Sequence, residues 1–360
     1  MPYFSVIIPV YNSKKYLPDA VHSILNQPLQ DFEIIIIDDG SNDGTEVICD
    51  ELADQYSCIC VIRQTNQGVS AARNTGIRKA QGTYIMFLDA DDCYVTGAIN
   101  QEMLLECNKG YGVIMYSSLS ANVKRNRYYI DMKMGEAVIR GGQALPISGH
   151  FGSCLYRRDV LLERNVYFDE GIRLNEDEAF KMKAMYAADF IRMKEGFLYI
   201  YNTTPNSARY IEKNIYDYIE AWKKVNAWLI QDGERGNRQQ AESYVRQKIL
   251  SRMLLYAKLY VQQGHGKRDL LYELERIKAL EPLKNISVGY MIPSQRKELI
   301  MFQEHIDQFM KYARLEGHKI RIGRMLLKIP FIRGIRDRKK FPWTDVKEVT
   351  VEKRSKALLK

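Results

Sequence analysis

The chain has 360 residues and a net charge of +9, with 46% hydrophobic and 27% charged residues. That length suits one large domain with an extension or two domains, and the composition is that of an ordinary globular protein. No repeat stands out, and no apolar run reaches the roughly 18 residues that a membrane-spanning helix needs. The N-terminus predicts a first strand rather than a signal peptide. The six cysteines show neither Cys-x-x-Cys nor zinc spacing, which favours reduced thiols in a cytosolic protein.

The positive charge is concentrated at the C-terminal end. Residues 311–360 contain 16 Lys and Arg against 5 Asp and Glu, whereas the rest of the chain carries 37 against 39. The basicity is therefore a property of the tail. This distribution argues against a general nucleic-acid-binding surface on the main domain, and no known nucleic-acid-binding motif is present.

The first half of the chain alternates strand and helix patterns. The predicted strands are Phe4–Val10, Phe32–Ile37, Ile59–Ile62 and Tyr84–Leu88, and the predicted helices are Leu17–Leu25, Thr45–Ala53 and Val69–Ala80. Strict alternation indicates an α/β fold with a mostly parallel sheet and right-handed crossovers. From residue 100 to about 201 the pattern loosens into shorter elements, as expected of a sheet edge.

The remainder is predicted to be mainly helical, up to about residue 308. Its clearest helices are Tyr216–Leu229, Ala241–Val261 and Arg268–Leu280. We therefore expect three regions: an α/β domain over residues 1–210, a helical region over 211–310 and a basic amphipathic tail over 311–360.

A cluster of carboxylates follows the last predicted strand of the first half. Asp89, Asp91 and Asp92 come directly after an apolar run that ends at Leu88. Adjacent like charges repel unless each finds a partner or a cation lies among them. Mg²⁺ or Mn²⁺ holding a diphosphate is a common reason to build such a site, and the alternative is a solvated turn. The buried strand favours the ligand site, because open α/β sheets bind ligands at the carboxyl ends of their strands.

Two further polar segments follow the first two predicted strands. Tyr11, just after Pro9 and Val10, offers a flat ring for a nucleotide base, and Asp39 can accept a hydrogen bond from a base N–H. In a parallel sheet both segments open onto the same edge. The alternative is that Asp39 and its neighbours form only a turn with helix-capping residues.

Two helix starts carry the remaining candidates. Gly68 and Ser70 suit a helix N-terminus that favours an anion, and Arg73 lies one turn inside, where its donors could reach phosphate or base. Glu176 and Asp177 precede another helix, where acids commonly serve as caps. A carboxylate near a metal–diphosphate site could instead deprotonate an incoming hydroxyl as a general base.

Together these segments resemble the inverting glycosyltransferases of family 2, which have the GT-A fold. The resemblance spans roughly residues 3–210 and rests on segments in the order of the family, namely Ser5 to Asn12, Ile37 to Ser41, Gly68-x-Ser70-x-Ala72-Arg73-Asn74-x-Gly76, Leu88 to Asp92 and Glu176-Asp177. It implies that Pro9, Tyr11 and Asp39 hold the base with Arg73 nearby. It also implies that Asp89 contacts the ribose, that Asp91 binds Mn²⁺ or Mg²⁺, and that Asp177 is the base, with Asp92 and Glu176 as supporting neighbours.

The resemblance also implies a reaction and its partners. The expected activity is transfer of one sugar from a nucleotide donor, UDP-linked by preference, to a glycan or polyprenyl-linked acceptor in cell-surface polysaccharide synthesis. The chain lacks the Gln-x-x-Arg-Trp motif of processive synthases, which favours single addition, and Asn202 stands where family members often have arginine. Two alternatives stay open: a nucleotidyltransferase, although the glycine-rich loop typical of those enzymes is missing after the first strand, and a non-catalytic nucleotide-sugar-binding or membrane-associated scaffold.

The tail contains a short basic amphipathic pattern. Basic residues recur at Arg321, Arg324 and Lys328, and apolar Ile322, Met325, Leu326 and Ile329 recur at helical spacing beside them. Residues 319–343 could therefore attach the protein to an anionic surface, the inner face of the plasma membrane, or pack on the body of the protein. The pattern leaves the choice open. The helical region from Asn214 onwards could shape the acceptor site or mediate formation of a homo-oligomer, and the sequence does not distinguish these.

Overall fold

A computed structural model describes residues 1–122, 127–142, 150–202, 215–231, 238–279, 283–284 and 293–326. These residues form two compact units, residues 1–202 and residues 215–326, which we name the sheet unit and the helical unit. The predicted border near residue 210 lies outside the described residues, and the predicted border at 311 falls within a helix. The three-region division stays a prediction.

The sheet unit confirms the predicted α/β fold. Its described residues form one ten-stranded sheet with the spatial order β3-β2-β1-β4-β9-β6-β10-β5, in which β7 pairs with β6 and β8 with β10. The strands are Phe4–Val10 (β1), Phe32–Asp38 (β2), Ile59–Arg63 (β3), Tyr84–Phe87 (β4), Cys93–Tyr94 (β5), Val113–Asn122 (β6), Arg127–Met132 (β7), Ala137–Arg140 (β8), Cys154–Arg157 (β9) and Phe190–Asn202 (β10). The four predicted strands all form and run parallel to one another, from β3 at one edge of the sheet to β4.

The helices of the sheet unit cover this sheet. They are Leu17–Leu25 (α1), Thr45–Gln55 (α2), Val69–Lys79 (α3), Gln101–Cys107 (α4), Arg158–Glu163 (α5) and Glu176–Ala187 (α6). β1 is buried along its whole length and β2 almost so, because β-branched residues fill both faces of a covered parallel strand.

A glycine sets the distance between α3 and the sheet. A Cβ added at Gly76 would lie 2.4 Å from Cγ2 of Ile7 in β1, closer than packed carbon atoms approach. The helix can therefore press directly on the central strand only because residue 76 has no side chain. That close approach holds Arg73, one turn earlier, against the carboxyl edge of the sheet.

The helical unit consists of Ile215–Gln231 (α7), Arg238–Gln262 (α8), Lys267–Arg276 (α9), Pro293–Glu304 (α10) and Ile306–Leu326 (α11). Its core gathers buried apolar side chains from each helix, including Ile219, Leu254, Leu274, Phe302 and Phe309. The predicted helices are present, as apolar periodicity indicates. The third ends at Arg276 rather than Leu280, because Lys278 takes a φ of +52° and the amide of Ala279 turns back to the carbonyl of Leu274.

Only part of the predicted tail is described. α11 continues to Leu326, with side chains described as far as Lys319, and residues 327–360 lie outside the described residues. The predicted membrane surface over residues 319–343 therefore stays a prediction. Among the described helices, none combines the length and the apolarity needed to span a bilayer.

Candidate active site

Asp39 is the buried centre of the first cluster. β1 and β2 end side by side, with Val10 opposite Asp38, and the next amide, that of Asp39, donates to the carbonyl of Val10 at 2.9 Å. The carboxylate accepts from Nε2 of Gln64 at 2.8 Å, from the amide of Gln67 at 2.9 Å and from the amide of Gly68 at 2.8 Å. A carboxylate has about four lone-pair sites, so one on Oδ2 is left for a ligand donor.

Tyr11 and Pro9 lie close in sequence but in different environments. Pro9 is buried within β1, opposite Ile37, whereas Tyr11 lies just past the strand and is 51% exposed. The loop after Tyr11 is fixed to the next loop of the edge, because the amide of Asn12 donates to Oγ of Ser41 at 3.0 Å. The Tyr11 ring is therefore accessible on a loop that is itself anchored.

Arg73 connects Asp89 of the acid cluster with Glu176, the neighbour of the predicted base Asp177. Its guanidinium is buried, with Nη2 donating to Oδ1 of Asp89 at 2.8 Å and Nη1 donating to Oε1 of Glu176 at 3.0 Å. Burial alone would lower the pKa of Arg73, but the carboxylates of Asp89 and Glu176 raise it well above its usual value. The guanidinium carbon lies 4.5 Å from the ring centre of Phe151. Both terminal nitrogens thus point at protein carboxylates, and the arginine fixes where two distant segments meet.

The three acids that follow β4, Asp89, Asp91 and Asp92, have different partners. Asp92 accepts from the hydroxyl of Tyr199 at 2.6 Å and from the amide of Asn202 at 2.7 Å, and burial raises its pKa to about 8. Asp89 is held by Arg73. No other described residue donates to the side chain of Asp91, whose pKa is raised by burial and then by the charge of Asp89. Asp91 is therefore the acid of this cluster whose oxygens stay available.

A divalent cation fits this donor set. Mg²⁺ is usually bound through one or two carboxylates together with substrate phosphates and water, so Asp91 alone could supply the protein ligand. Burial and then the like charge of Asp89 raise the pKa of Asp91, and a bound cation would favour the charged form of this carboxyl. Within the described part of the chain, no three His, Cys, Asp or Glu residues are grouped as a ready-made metal cage.

Asp177 and Glu176 open helix α6 and face different partners. Asn175, with a φ of +71°, turns the chain into the helix, and Oδ1 of Asp177 accepts from the amide of Glu178 at 2.7 Å. The positive end of a helix favours carboxylates in its first turn. Glu176 is engaged by Arg73, while burial and the neighbouring Asp177 raise its pKa. Among the described residues no basic side chain pairs with Asp177, so its carboxylate is less constrained than that of Glu176.

Three residues of this site carried no role in the sequence prediction. The hydroxyl of Tyr199 reaches Asp92, the Asn202 side chain contacts the carbonyl of Asp91, and the His150 ring lies 4.4 Å from that of Tyr199. Burial lowers the pKa of His150, against the opposing effect of Asp89 and Asp177. Asn202, at the position where arginine is expected, thus ties the end of β10 to the acid loop. A lone histidine gives no sequence signal for such a place.

Asn74, inside the predicted motif, has a clamping role. Its side chain donates to the carbonyl of Phe168 at 3.0 Å and to Oε1 of Glu170 at 2.9 Å, and it accepts from the amide of Phe168 at 2.9 Å. Asn74 therefore fixes the segment that leads into α6, and with it the position of Glu176 and Asp177.

The sequence profile described as Glycosyl transferase family 2 matches residues 5–164, which hold Asp39, Arg73 and the acid cluster. Residues 5–164 belong to glycosyl transferase family 2. The match ends before Glu176 and Asp177. The GT-A expectation for the fold is confirmed.

Individual relatives agree with this assignment. The uncharacterized glycosyltransferase EpsJ of Bacillus subtilis (strain 168) is 36% identical over 218 residues, which cover 58% of this chain and 63% of that protein. The minor teichoic acid biosynthesis protein GgaB of the same organism is 33% identical over 181 residues, covering 48% of this chain and 20% of that protein. The chain thus spans less than two thirds of the length of either relative.

Solved structures share the fold. A crystal structure of residues 1–349 of TarS from S. aureus, in complex with UDP, has a TM-score of 0.64 and 20% sequence identity, and the match covers 90% of this chain and 92% of that one. A second TarS structure, in complex with UDP-GlcNAc, has the same TM-score.

Proposed function

We propose that this protein is an inverting glycosyltransferase that moves a single sugar from a UDP-linked donor to a hydroxyl group of a glycan or lipid-linked acceptor in bacterial cell-surface polysaccharide synthesis. The observation that carries the proposal is the Arg73 bridge, which brings Asp89 of the acid cluster and Glu176, the neighbour of Asp177, to one guanidinium. The UDP and UDP-GlcNAc complexes of TarS support the donor class, and the name of GgaB supports the pathway class.

The donor half of the site would be formed by the carboxyl edge of β1, β2 and β4. The exposed Tyr11 ring stacks on the base, and the remaining lone-pair site of Asp39 accepts from a base N–H. Asp89 meets the ribose, with Arg73 holding it in place. Asp91 would hold Mn²⁺ or Mg²⁺, which when bound offsets the charge that develops on the leaving diphosphate.

The transfer step uses Asp177 as a general base. Asp177 takes the proton of the acceptor hydroxyl while that oxygen forms a bond to the anomeric carbon. The bond between the anomeric carbon and the diphosphate oxygen breaks on the opposite face, and the nucleoside diphosphate leaves with the electron pair. One displacement inverts the anomeric centre, so no enzyme nucleophile is required. Arg73 acts on this step through Glu176, which it keeps from competing with Asp177 for the acceptor.

The proposal is tested by thermal-shift measurements with nucleoside diphosphates and nucleotide sugars, each with Mn²⁺ and with chelator. Ligand at a hundredfold excess over its dissociation constant stabilises the native state by about 2.7 kcal/mol. We expect a metal-dependent shift with UDP or a UDP-sugar, lost in Tyr11→Ala. Tyr272→Ala is the matched control, because Tyr272 is an exposed tyrosine of the helical unit. A folded protein that shows no shift with any nucleotide would contradict the proposal.

A further inference from the structure

The helical unit contains a cavity of its own. It measures about 470 Å³ and is lined by side chains of α7 and α8 and by residues at the end of α9. The inner part is apolar, formed by Ile219, Leu250, Met253 and Ile277, all of them buried. Cavities of about 300 to 1,000 Å³ with mainly apolar walls are typical small-molecule sites. This space belongs to the helical unit alone, so it is not part of the candidate active site.

The rim of the cavity is charged and mostly positive. Four basic residues line it, against the single acid Glu220, and they are Lys223, Arg246, Arg276 and Lys278. Two of them are neutralised locally, since Lys223 pairs with Glu220 at 2.7 Å and Arg276 pairs with Glu273 at 2.6 Å. Arg246 and Lys278 are exposed, and no described residue pairs with either. Within the described part of the helical unit, the rim therefore has two positive charges without an acidic partner beside an apolar interior.

An apolar interior and a cationic rim are complementary to one class of ligand. We propose that this cavity binds the hydrocarbon chain of a single-chain anionic amphiphile, with its phosphate or carboxylate head held by Arg246 and Lys278. The apolar walls remove the chain from water, and the guanidinium of Arg246 offers paired donors to an oxyanion. A free inorganic anion would leave the apolar walls unused, and a neutral amphiphile would leave the two charges without a partner.

The head group and the chain can be tested separately on the full-length protein. Isothermal titration calorimetry with dodecyl phosphate below its critical micelle concentration should show saturable binding at one site. Octyl phosphate should bind more weakly, by roughly two- to fourfold for each methylene removed. Dodecyl maltoside, with a neutral head, should bind on the order of tenfold more weakly, and inorganic phosphate should show no binding in the same range. Dodecanoate separates the two head groups, since equal binding assigns the site to any anionic head and weaker binding assigns it to phosphate.

Charge reversal at the rim tests the location. The double variant Arg246→Glu with Lys278→Glu should weaken dodecyl phosphate binding on the order of tenfold. The matched control is Arg296→Glu with Lys297→Glu, which makes the same charge change at two exposed residues of α10 outside the cavity. The control should bind as the unchanged protein does, and circular dichroism melts should show both variants folded. No saturable binding, equal binding of dodecyl maltoside, or equal loss in both variants would overturn the proposal.

Discussion

The two units of this protein use buried charge differently. The sheet unit buries Asp38, Asp39, Arg73 and Asp92, all at or near the carboxyl edge of its parallel strands, whereas the main buried charges of the helical unit are Glu273 and Glu298, each paired with a basic side chain. Burying a charge is costly unless it is paired and hydrogen-bonded. The sheet unit gathers this group of buried charges at the candidate active site, while its other buried charges, Glu106, Lys181 and Lys183, lie on α4 and α6.

The partners of these charges also differ in sequence distance. Arg73 reaches Glu176 across 103 positions and Tyr199 reaches Asp92 across 107. In the helical unit Lys258 reaches Glu298 across 40 positions, and Arg276 pairs with Glu273 only three positions away. Local pairs stabilise one helix, but pairs between distant segments fix the geometry of a site. The comparison predicts that substitutions of charged residues at the sheet-unit site impair activity or stability. Similar substitutions in the helical unit should have little effect.

The largest expected effect is on transfer. Asp177→Asn should lower the transfer rate on the order of 10²- to 10⁴-fold, because the amide cannot take the acceptor proton, and UDP binding should persist. The measurement is release of UDP from the donor found in the screen, in the presence of an acceptor fraction. Asp217→Asn is the control, since Asp217 is also an acid in the first turn of a helix, α7. Undiminished transfer by Asp177→Asn would place the base elsewhere, and nucleotide binding without any transfer in the unchanged protein would favour the scaffold alternative.

The next effect is on stability. Arg73→Met removes a buried guanidinium from between two partly buried carboxylates, those of Asp89 and Glu176. Because loss of one partner from a buried ion pair costs about 3–5 kcal/mol, we expect a cost toward the lower end of that range. Arg276→Met removes a pair whose arginine is 54% exposed, so it should cost no more than about 1 kcal/mol. Urea unfolding midpoints compare the two. Equal costs would mean that the Arg73 bridge is not the buried junction described above.

Two helix glycines give a smaller contrast. Gly76→Ala should destabilise by about 1–3 kcal/mol, because the new methyl meets Ile7 in a fully buried strand. At Gly317 in α11 the nearest atom is Cγ of Gln262, a flexible side chain at 2.8 Å, which can move aside. Gly317→Ala should therefore change stability by less than about 1 kcal/mol in either direction, since alanine also favours the helix. Thermal melts of both variants would show whether α3 is held to β1 as tightly as the structure indicates.

The smallest effect is a dependence on acid pH that the two units share. Burial would raise the pKa of Glu106, but Lys109 and Arg192 hold it below its usual value, and Arg276 does the same for Glu273. A carboxyl whose folded pKa is depressed adds stability above its unfolded pKa of about 4.3 and loses it as the pH falls through the folded value. Glu106→Gln and Glu273→Gln should each make unfolding less sensitive to pH below about 4.5. The measurement is the free energy of unfolding at pH 3 to 7. If these pairs contribute nothing, its dependence on pH will be the same in the variants as in the unchanged protein.

The predictability of the fold follows the type of strand. β1 to β4 and helices α1 to α3 were predicted because buried β-branched runs alternate with amphipathic stretches. The sequence pattern did not predict the individual strands after β4. β5 and β9 are only two and four residues long, and β10 shifts register twice against β6. Their places depend on partner strands far away in the chain, antiparallel for β5 and β9 and parallel for β10 against β6, and single-sequence patterns do not encode such partners.

The candidate site was predictable in position but less so in the use of its groups. The positions of Asp39, Asp91 and Asp177 follow from strand ends and a helix start. Both terminal nitrogens of Arg73 donate to carboxylates. One of these carboxylates belongs to Glu176 on another element, so the motif around Arg73 could not predict this arrangement. The positions of His150 and Tyr199 depend in the same way on β10, since Tyr199 of that strand contacts both the Asp89 amide and the His150 ring.

The central claim is that the acid cluster binds a nucleoside diphosphate with a cation at Asp91. The most direct test is calorimetric titration of UDP with Mn²⁺ and with chelator into the unchanged protein, Asp91→Asn and Asp177→Asn. We expect Mn²⁺ to strengthen UDP binding in the unchanged protein and equally in Asp177→Asn, and to have no effect in Asp91→Asn. Binding by Asp91→Asn that keeps its full dependence on Mn²⁺ would contradict the account.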